Sequence, residues 1–257
     1  MSTGEQDGSS LAYRNTQFLE SDEARPLRIL AEYLEPLATF QREGVRETIV
    51  FFGSARLAAD GPLARYYADA RELAKRVTLW SKSLSSECES YVVCTGGGGG
   101  IMEAANRGAQ EAGGRTVGLN IGLPQEQHPN PYITPELSFE FRYFFMRKLW
   151  FAHLARAVVV FPGGFGTLDE LTELLTLMQT QKLKRAVAIF LYGTQYWNEI
   201  INFPALVRHG MISQGDVDRL RFVDTTDAAL AGIQAAVQAA PDAAKVPHFA
   251  ASRCETE

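Results

Sequence analysis

The sequence predicts an α/β protein built on a parallel sheet that is covered by helices on both faces. Short, almost continuously apolar runs alternate along the chain with longer stretches in which apolar residues recur at helical spacing. Continuous apolar runs are typical of strands that are buried on both sides, as parallel strands are. Glycine-bearing loops follow three of these runs, and we expect them to meet at one edge of the sheet, outside the carboxyl ends of the strands.

Six apolar runs are the predicted strands, and helix-like stretches separate them. The strands are expected at 49–52, 91–94, 116–119, 157–161, 186–192 and, more weakly, 221–223. The helices between them are expected near 62–80, 100–112, 143–155, 167–181, 195–209 and 226–240. A further helix is expected over residues 26–40, laid against the main body, with Pro36 bending or ending it.

The pattern indicates one main domain between two looser ends. Residues 1 to about 25 are polar and are expected to form a mobile tail, so that 1–46 comprises this tail and the N-terminal helix. The main domain is expected over residues 47–240. Residues 241–257 are rich in alanine and polar residues and are expected to form a loose C-terminal tail.

Charge and composition argue against several classes of protein. The net charge of −5 is opposite to that of a general nucleic-acid binder. No apolar segment approaches the roughly 18 residues that span a bilayer, and the polar start of the chain does not resemble a signal peptide. Three cysteines without a CxxC pair suit a reducing compartment. We therefore expect a cytoplasmic protein with neither a nucleic-acid nor a membrane partner.

The first chemical motif is the run TGGGGGIME at 95–103, which follows a predicted strand and opens a helix. Glycines allow backbone N–H groups to approach an anion closely, and the N-terminus of the following helix is positively polarised. Its spacing fits neither the P-loop nor the dinucleotide fingerprint. A phosphate is therefore the expected guest, and a tight turn without a ligand is the alternative.

The second motif is PGGFGTLDE at 162–170, again between a strand and a helix. Its glycines predict a second anion-binding turn on the same edge of the sheet. Thr167 and Glu170 have the spacing of a capping box, in which each side chain satisfies a backbone N–H group of the other residue. The competing interpretation makes Glu170 an ionised carboxylate that faces the crevice and accepts a proton from water or binds a ribose hydroxyl.

The third motif is FFMRKLWF at 144–151, where two cations interrupt an apolar, aromatic helix. Burying charge without a partner is costly, so Arg147 and Lys148 either extend to solvent along their stems or serve a site. In a site, Arg147 offers a planar fork to phosphate or carboxylate and Lys148 a point charge. Arg142 lies elsewhere on the helix and is not expected to share the site.

Other catalytic chemistries find little support in the sequence. The four histidines are scattered without paired spacing, so no metal site is expected. There is no GxSxG elbow, which disfavours acyl transfer by a serine nucleophile.

Taken together, the segments TGGGGGIMEAANRGA, FFMRK and PGGFGTLDE resemble the signature set of the "Lonely guy" (LOG) family, whose members are often labelled lysine decarboxylases. The resemblance runs from FFGSAR to LTLMQTQK and covers most of residues 47 to about 225. Chain length and the N-terminal helix suggest its longer subgroup. The resemblance implies a Rossmann-like, doubly wound fold and a phosphoribohydrolase that cleaves nucleoside 5′-monophosphates, such as AMP or cytokinin riboside monophosphates, into free base and ribose 5-phosphate.

By position, the resemblance makes Arg147 and Glu170 the catalytic pair. It implies no metal and no organic cofactor, and it implies a homodimer or a higher homo-oligomer. The candidate substrate-binding residues are Ser54, Gly97, Gly98, Gly99, Gly100, Glu103, Glu126, Lys148, Gly163, Gly164, Phe165, Gly166, Thr167, Leu168 and Asp169.

Glycosidic cleavage passes through an oxocarbenium-like ribose, so a carboxylate can stabilise the charge and orient a water. We assign that role to Glu170, whereas Arg147 either neutralises the phosphate or assists the departing base.

Two alternatives to a hydrolase stay open. A pyridoxal-phosphate decarboxylase would need a Schiff-base lysine, for which Lys148 is the candidate near the glycine loops. A non-catalytic nucleotide-binding or carrier protein would need the glycine loops but not both Arg147 and Glu170.

Overall fold

The computed structural model describes residues 11–84, 91–122, 128–183 and 186–239. It contains a seven-stranded, all-parallel sheet in the order β4-β3-β2-β1-β5-β6-β7. The strands are β1 (Thr48–Phe52), β2 (Val92–Thr95), β3 (Thr116–Ile121), β4 (Ser138–Phe141), β5 (Ala155–Val160), β6 (Ala188–Tyr192) and β7 (Leu220–Val223). The parallel α/β architecture predicted from the sequence is confirmed.

Helices follow most of the strands. They are α1 (Thr16–Glu20), α2 (Arg25–Arg42), α3 (Ala64–Leu84), α4 (Ile101–Glu111), α5 (Phe144–Leu154), α6 (Phe165–Gln179), α7 (Thr194–Ile200), α8 (Phe203–Arg208), α9 (Gln214–Val217) and α10 (Thr226–Ala239). Two short 3-10 turns lie at Ala12–Arg14 and Pro135–Leu137.

The core lies in two layers, one on each face of the sheet. Side chains from α2, α5 and α6 pack with one set of strand residues, and side chains from α3, α4 and α10 pack with the other. Strands β1, β2 and β5 are buried along their whole length. Burial on both faces explains why these strands are apolar throughout instead of alternating.

The prediction missed strand β4. Its sequence, SFEF, alternates between exposed and buried residues and contains only two apolar side chains. It lies at the edge of the sheet and pairs only with β3 among the described strands, with Leu119 opposite Phe139. A short strand with one solvent-facing side does not produce the continuous apolar run by which the other strands were identified.

The N-terminal segment also differs from the prediction. Pro36 neither ends nor interrupts α2, which continues to Arg42. Proline lacks an N–H group, so the carbonyl four residues earlier, at Glu32, loses its helical donor. The indole Nε1 of Trp150 donates to that carbonyl at 2.9 Å instead. A tertiary hydrogen bond thus satisfies the group that Pro36 leaves open.

Part of the expected tail is folded against the body. Residues 11–24 include helix α1, which begins at the cap residue Asn15. The Arg28 guanidinium donates to the carbonyl oxygens of Leu19 and Ser21 at 2.5 and 2.6 Å. These contacts could not be predicted from the polar composition of the segment, because the acceptors are backbone carbonyl groups and the donor belongs to α2. The remainder of the expected tail, residues 1–10, lies outside the described residues, as does the C-terminal stretch from 240 onward.

One predicted helix is two. The stretch 195–209 divides into α7 and α8 around residues 201 and 202. The side chain of Asn202 accepts a hydrogen bond from the backbone N–H of Ala205 at 2.9 Å and so caps α8, whose second residue is Pro204. Asparagine followed by a proline in the first turn is a helix start signal that the sequence carried.

Candidate active site

The site lies where the strand order reverses. Strand β1 pairs with β2 on one side and with β5 on the other, so the connections leave it in opposite directions. The loops after these three strands are in direct contact. Ser54 donates its backbone N–H to the carbonyl of Pro162 at 3.0 Å and accepts, through its own carbonyl, from Ile101 N–H at 3.1 Å. This is the crevice in which parallel α/β sheets bind ligands, and it confirms that the glycine loops converge.

A cleft of about 510 Å³ opens between the loops after β1 and β5. Ser54, Arg56, Gly163, Gly164 and Tyr196 contribute polar or backbone groups to it, and Leu57, Ala58, Pro62 and Leu63 line its apolar side. The Tyr196 hydroxyl donates to the Gly163 carbonyl at 2.8 Å and fixes that side of the loop. The cleft combines an apolar wall with backbone amides, as small-molecule sites do.

Arg147 and Glu170 form a buried ion pair beside this crevice. Arg147 lies on α5 and Glu170 on α6, and the Nη2–Oε1 distance is 2.9 Å. Only about a tenth of each side chain is exposed, 10% for Arg147 and 12% for Glu170. Arg147 therefore does not extend to solvent, and the interpretation of these cations as a solvated helix edge is wrong for this residue. Arg142, in contrast, pairs with Glu20 at 3.0 Å, away from the site as expected.

The ion pair points to the glycine loop that follows β2. A side chain placed at Gly96 would come within 3.7 Å of Arg147 Nη1 and 4.0 Å of the Phe151 ring. The Arg147 guanidinium carbon also lies 5.4 and 5.7 Å from the ring centroids of Phe144 and Phe151. Its Nε is buried and has no hydrogen-bond partner among the described residues. The guanidinium thus retains hydrogen-bonding capacity beyond its bond to Glu170.

Burial raises the pKa of the Glu170 carboxyl to about 7, because the carboxylate loses its hydration. The Arg147 guanidinium opposes this shift and favours the ionised form, whereas the neighbouring Asp169 carboxylate adds to it. The Lys148 ammonium also favours the ionised form. A buried carboxyl whose pKa lies near neutral pH under such opposing influences is characteristic of catalytic acids and bases.

The capping-box interpretation of Thr167 and Glu170 is wrong. Helix α6 begins at Phe165 with Gly164 as its cap residue, and no side chain caps it. Thr167 is consequently the third residue of the helix and is buried, while Glu170 bonds to Arg147 instead of the backbone. The helix therefore starts two residues earlier than predicted and includes Phe165 and Gly166 in its first turn.

Lys148 crosses from α5 to α6 and binds two carboxylates. Its Nζ lies 2.7 Å from Glu173 Oε2 and 3.2 Å from Asp169 Oδ1. Burial by itself would lower the pKa of Lys148, but the hydrogen bonds from Glu173 and Asp169 outweigh it and raise the pKa overall. A Schiff-base lysine needs a neutral, free amine, so this residue does not fit a pyridoxal-phosphate decarboxylase.

The predicted substrate-binding residues divide into two groups. Ser54 and the glycines of both loops lie at the crevice. Glu103 instead accepts a hydrogen bond from the Tyr67 hydroxyl at 2.8 Å, between α3 and α4. Leu168 packs against the core, and Phe165 is 92% exposed. Glu126 lies outside the described residues.

The glycines of the second loop differ in what surrounds them. A side chain at Gly163 would collide with Thr167, so packing within the protein accounts for that glycine. Gly164 and Gly166 have no atom within 4 Å of an added Cβ, and neither has a positive φ. Their small size leaves the N-terminus of α6 open to an approaching group.

Sequence reasoning missed Arg56, Tyr196 and Asn130. Arg56 and Tyr196 line the cleft, and Asn130 binds the glycine loop after β2. Arg56 lies within the FFGSAR segment, which was a usable signal. Tyr196 and Asn130 reach the site from other parts of the chain, and only the tertiary structure brings them there.

Within the ranges described, no group of three His, Cys, Asp or Glu residues could hold a metal ion, and no helix is both long and apolar enough to cross a membrane.

Known proteins resemble this chain over much of its length. A family model described as "possible lysine decarboxylase" matches residues 102–233, just over half of the chain. The probable cytokinin riboside 5′-monophosphate phosphoribohydrolase LOGL3 of Oryza sativa subsp. japonica is 30% identical over 177 residues, which cover 67% of this chain and 76% of that protein. The cytokinin riboside 5′-monophosphate phosphoribohydrolase LOG4 of Arabidopsis thaliana is 27% identical over 179 residues, with coverages of 68% and 75%.

Solved structures share the fold. The molybdenum cofactor carrier protein of Chlamydomonas reinhardtii has a TM-score of 0.53 at 21% identity, covering 75% of this chain and 99% of that one. The molybdenum cofactor binding protein of Rippkaea orientalis has a TM-score of 0.51 at 18% identity, with coverages of 74% and 96%. The family match includes α5, α6 and the Arg147–Glu170 pair between them, and the chain belongs to the LOG family, the family whose model is described as possible lysine decarboxylase.

Proposed function

We propose that this protein is a phosphoribohydrolase, which hydrolyses the N-glycosidic bond of nucleoside 5′-monophosphates to give free base and ribose 5-phosphate. The observation that carries the proposal is the buried Arg147–Glu170 pair, set beside two glycine loops at the switch point of the sheet. The names of the LOG relatives describe this reaction on cytokinin riboside 5′-monophosphates. AMP and cytokinin riboside monophosphates are therefore the substrates to test first.

The 5′-phosphate is assigned to the glycine loops. Helix α6 has fifteen residues and no side-chain cap, so its first N–H groups and its positive dipole end are available to an anion. Gly164 and Gly166 leave space for close approach. The same helix carries Glu170 one turn further on, so a substrate held by its phosphate at the start of α6 has its ribose near the carboxylate.

In the proposed reaction, the bond between C1′ of the ribose and the base nitrogen breaks as water adds to C1′. The electron pair of the bond leaves with the base, and positive charge develops on the ribose. The Glu170 carboxylate stabilises this charge and accepts a proton from the attacking water. The base nitrogen gains a proton, so that the elements of one water molecule are added overall.

Arg147 acts on Glu170 in this scheme. Its guanidinium favours the ionised carboxylate, which burial alone would leave protonated at neutral pH, and its hydrogen bond fixes the carboxylate orientation. The two roles considered for Arg147 from the sequence, binding phosphate and assisting the base, are not needed to explain its position. The unpartnered Nε is free for a substrate contact in addition.

Hydrolysis can be tested with the purified protein, AMP, other nucleoside monophosphates and isopentenyladenosine monophosphate. Free base and ribose 5-phosphate are separated by chromatography, and each matching nucleoside serves as the control that lacks the phosphate. Release from a monophosphate but not from its nucleoside supports the proposal. Binding of nucleotides without release from any of them would contradict it and favour a non-catalytic nucleotide-binding protein.

A further inference from the structure

A buried asparagine holds the glycine loop that follows β2. Asn130 is 7% exposed and comes from the segment between β3 and β4. Its Nδ2 donates to the carbonyl oxygens of Gly97 at 3.1 Å and Gly98 at 3.0 Å. Its backbone N–H donates to Gly97 O as well, at 2.8 Å. Two successive carbonyl groups of the loop are thus fixed by one residue.

Asn130 is itself held in place by a buried polar network. Asn106 Oδ1 lies 2.9 Å from the same Nδ2, whose two protons are therefore shared among three acceptors, and the Asn130 Oδ1 accepts from Tyr132 N–H at 3.1 Å. The hydroxyl of Thr95 donates to Asn106 Oδ1 at 2.7 Å and accepts from Gly97 N–H at 3.0 Å. Thr95 and Asn106 are fully buried. These bonds leave the Asn130 amide one orientation.

The fixed carbonyls determine where the next N–H groups point. In a planar trans peptide, the carbonyl oxygen and the N–H group of the following residue lie on opposite sides of the bond. Holding Gly97 O and Gly98 O toward Asn130 therefore directs the N–H groups of Gly98 and Gly99 away from it. No acceptor in the described part of the chain takes either N–H group. Successive N–H groups of this kind form a concave site for an anion.

We propose that Asn130 is a positioning residue, which sets the peptide planes of the loop so that the Gly98 and Gly99 amides bind the phosphate of the substrate. This inference rests on the proposed function, because it assigns a role within the same site. Asn130 does not touch the reacting atoms. Its effect passes through the loop, so it should change how tightly the phosphate is bound and leave the chemical step nearly unchanged.

The kinetic test uses the variant N130A with AMP as substrate. We expect KM to rise about tenfold or more, the loss associated with a hydrogen bond to a charged group, while kcat changes less than about twofold. The phosphate contact is the same in the ground state and the transition state, which is why kcat is spared. Inhibition by ribose 5-phosphate should weaken by the same factor as KM rises. An unchanged KM, or an equal loss in kcat, would overturn the inference.

The matched control is T116V. Thr116 is fully buried, and its hydroxyl donates to the Tyr132 carbonyl at 2.8 Å, so it anchors the same segment without contacting the glycine loop. We expect T116V to lower the unfolding temperature and to keep the KM of the wild type. If T116V and N130A raise KM alike, the effect comes from general loosening of the segment and the assigned role is wrong.

A measurement on the unaltered protein does not depend on how the variants fold. In the ¹⁵N-labelled wild type, titration with ribose 5-phosphate should move the Gly98 and Gly99 amide protons downfield. Stationary Gly98 and Gly99 signals would overturn the inference, whether or not the amides at 164–167 move. If the wild type hydrolyses no nucleotide yet these amides respond, the proposed function fails and the assignment of the phosphate to the Gly98 and Gly99 amides stands. The role of Asn130 is then tested by the same titration of N130A, in which the apparent Kd for ribose 5-phosphate should rise about tenfold or more; an unchanged Kd would overturn it.

Discussion

Glu170 combines two opposing influences within one side chain. Its burial favours the protonated form, and its bond to Arg147 favours the carboxylate, with a resulting pKa of about 7. The proposed reaction needs the carboxylate, because a neutral acid neither stabilises the oxocarbenium charge nor accepts a proton from water. The pair can therefore be tested through its dependence on pH.

The first prediction concerns activity against pH. We expect kcat/KM for AMP to rise with pH and to level off above an apparent pKa near 7, as Glu170 of the free protein ionises. The variant E170Q should lose about 100-fold or more of kcat, a typical contribution from a general base, and its residual rate should not follow that titration. Initial rates from pH 5 to 9 test both points. A wild-type rate that is independent of pH across this range would contradict the assignment.

The second prediction concerns stability against pH. The folded protein binds the Glu170 proton more tightly than the unfolded chain does, since folding raises the pKa from 4.5 to about 7. Relative to E170Q, the free energy of unfolding of the wild type should thus fall as the pH rises from 4.5 to 7 and stay constant above that. The difference is on the order of 3 kcal/mol. Urea unfolding of both proteins at several pH values measures it, and a difference that grows with pH would refute the assigned shift.

Thr167 and Glu170 show how far local sequence reasoning reaches at the scale of single residues. Their spacing fits a capping box, and the residue types are right for one. The structure places them one turn apart inside α6, with Glu170 bonded to an arginine 23 positions earlier. A partner from another helix decided the role of Glu170, and only the family resemblance pointed to that partner beforehand.

At the scale of elements, helix α6 connects fold and site. It follows the buried strand β5 after a four-residue loop, has Gly164 as its cap residue and Gly166 in its first turn, and presents Glu170 in its second turn. Strand runs and glycine loops could be read from the sequence because burial on both faces and anion binding each leave a strong local pattern. Strand β4 and the passage of α2 through Pro36 could not, since an edge position and the Trp150–Glu32 hydrogen bond are tertiary features.

The third prediction compares two glycines of α6 and its preceding loop. G166A should keep or slightly raise the unfolding temperature, because alanine favours helix and nothing lies within 4 Å of the added methyl group. It should nevertheless weaken AMP binding, since the methyl group occupies the space through which the phosphate approaches. Calorimetric titration and thermal unfolding of the same samples provide both readouts.

G163A is the control for that comparison. Its methyl group would collide with the buried Thr167 side chain, so the variant should lose stability. A G166A variant that binds AMP as tightly as the wild type would contradict the assignment of the phosphate to the start of α6.

At the scale of the whole molecule, the strand order of the sheet determines where the site lies. The strand order reverses at β1 and β5, so the loops after β1, β2 and β5 share one edge, and the cleft opens between the loops after β1 and β5. Alternation of strands and helices predicted this convergence without any contact being known. The sequence did not reveal the apolar wall at 57–63 or Tyr196, because neither lies in a motif and both reach the cleft through the fold.

The fourth prediction concerns the thermal stability of the protein when AMP binds to these loops. AMP at 100 times its dissociation constant should stabilise the folded protein by about 2.7 kcal/mol. For a domain of this size, that corresponds to a rise of roughly 5–10 °C in the unfolding temperature. Adenosine, which lacks the phosphate, should produce a much smaller shift at the same concentration. Equal shifts for the two compounds would show that the loops do not recognise phosphate.

Product analysis after incubation with nucleoside monophosphates tests the central claim most directly, with wild type and E170Q compared side by side. The predicted result is equal amounts of free base and ribose 5-phosphate from wild type, and almost none from E170Q, although E170Q still binds the nucleotide. Equal turnover by the two proteins would show that the Arg147–Glu170 pair is not the catalytic centre. Binding without turnover by the wild type would show that the protein is not a phosphoribohydrolase acting on these nucleotides.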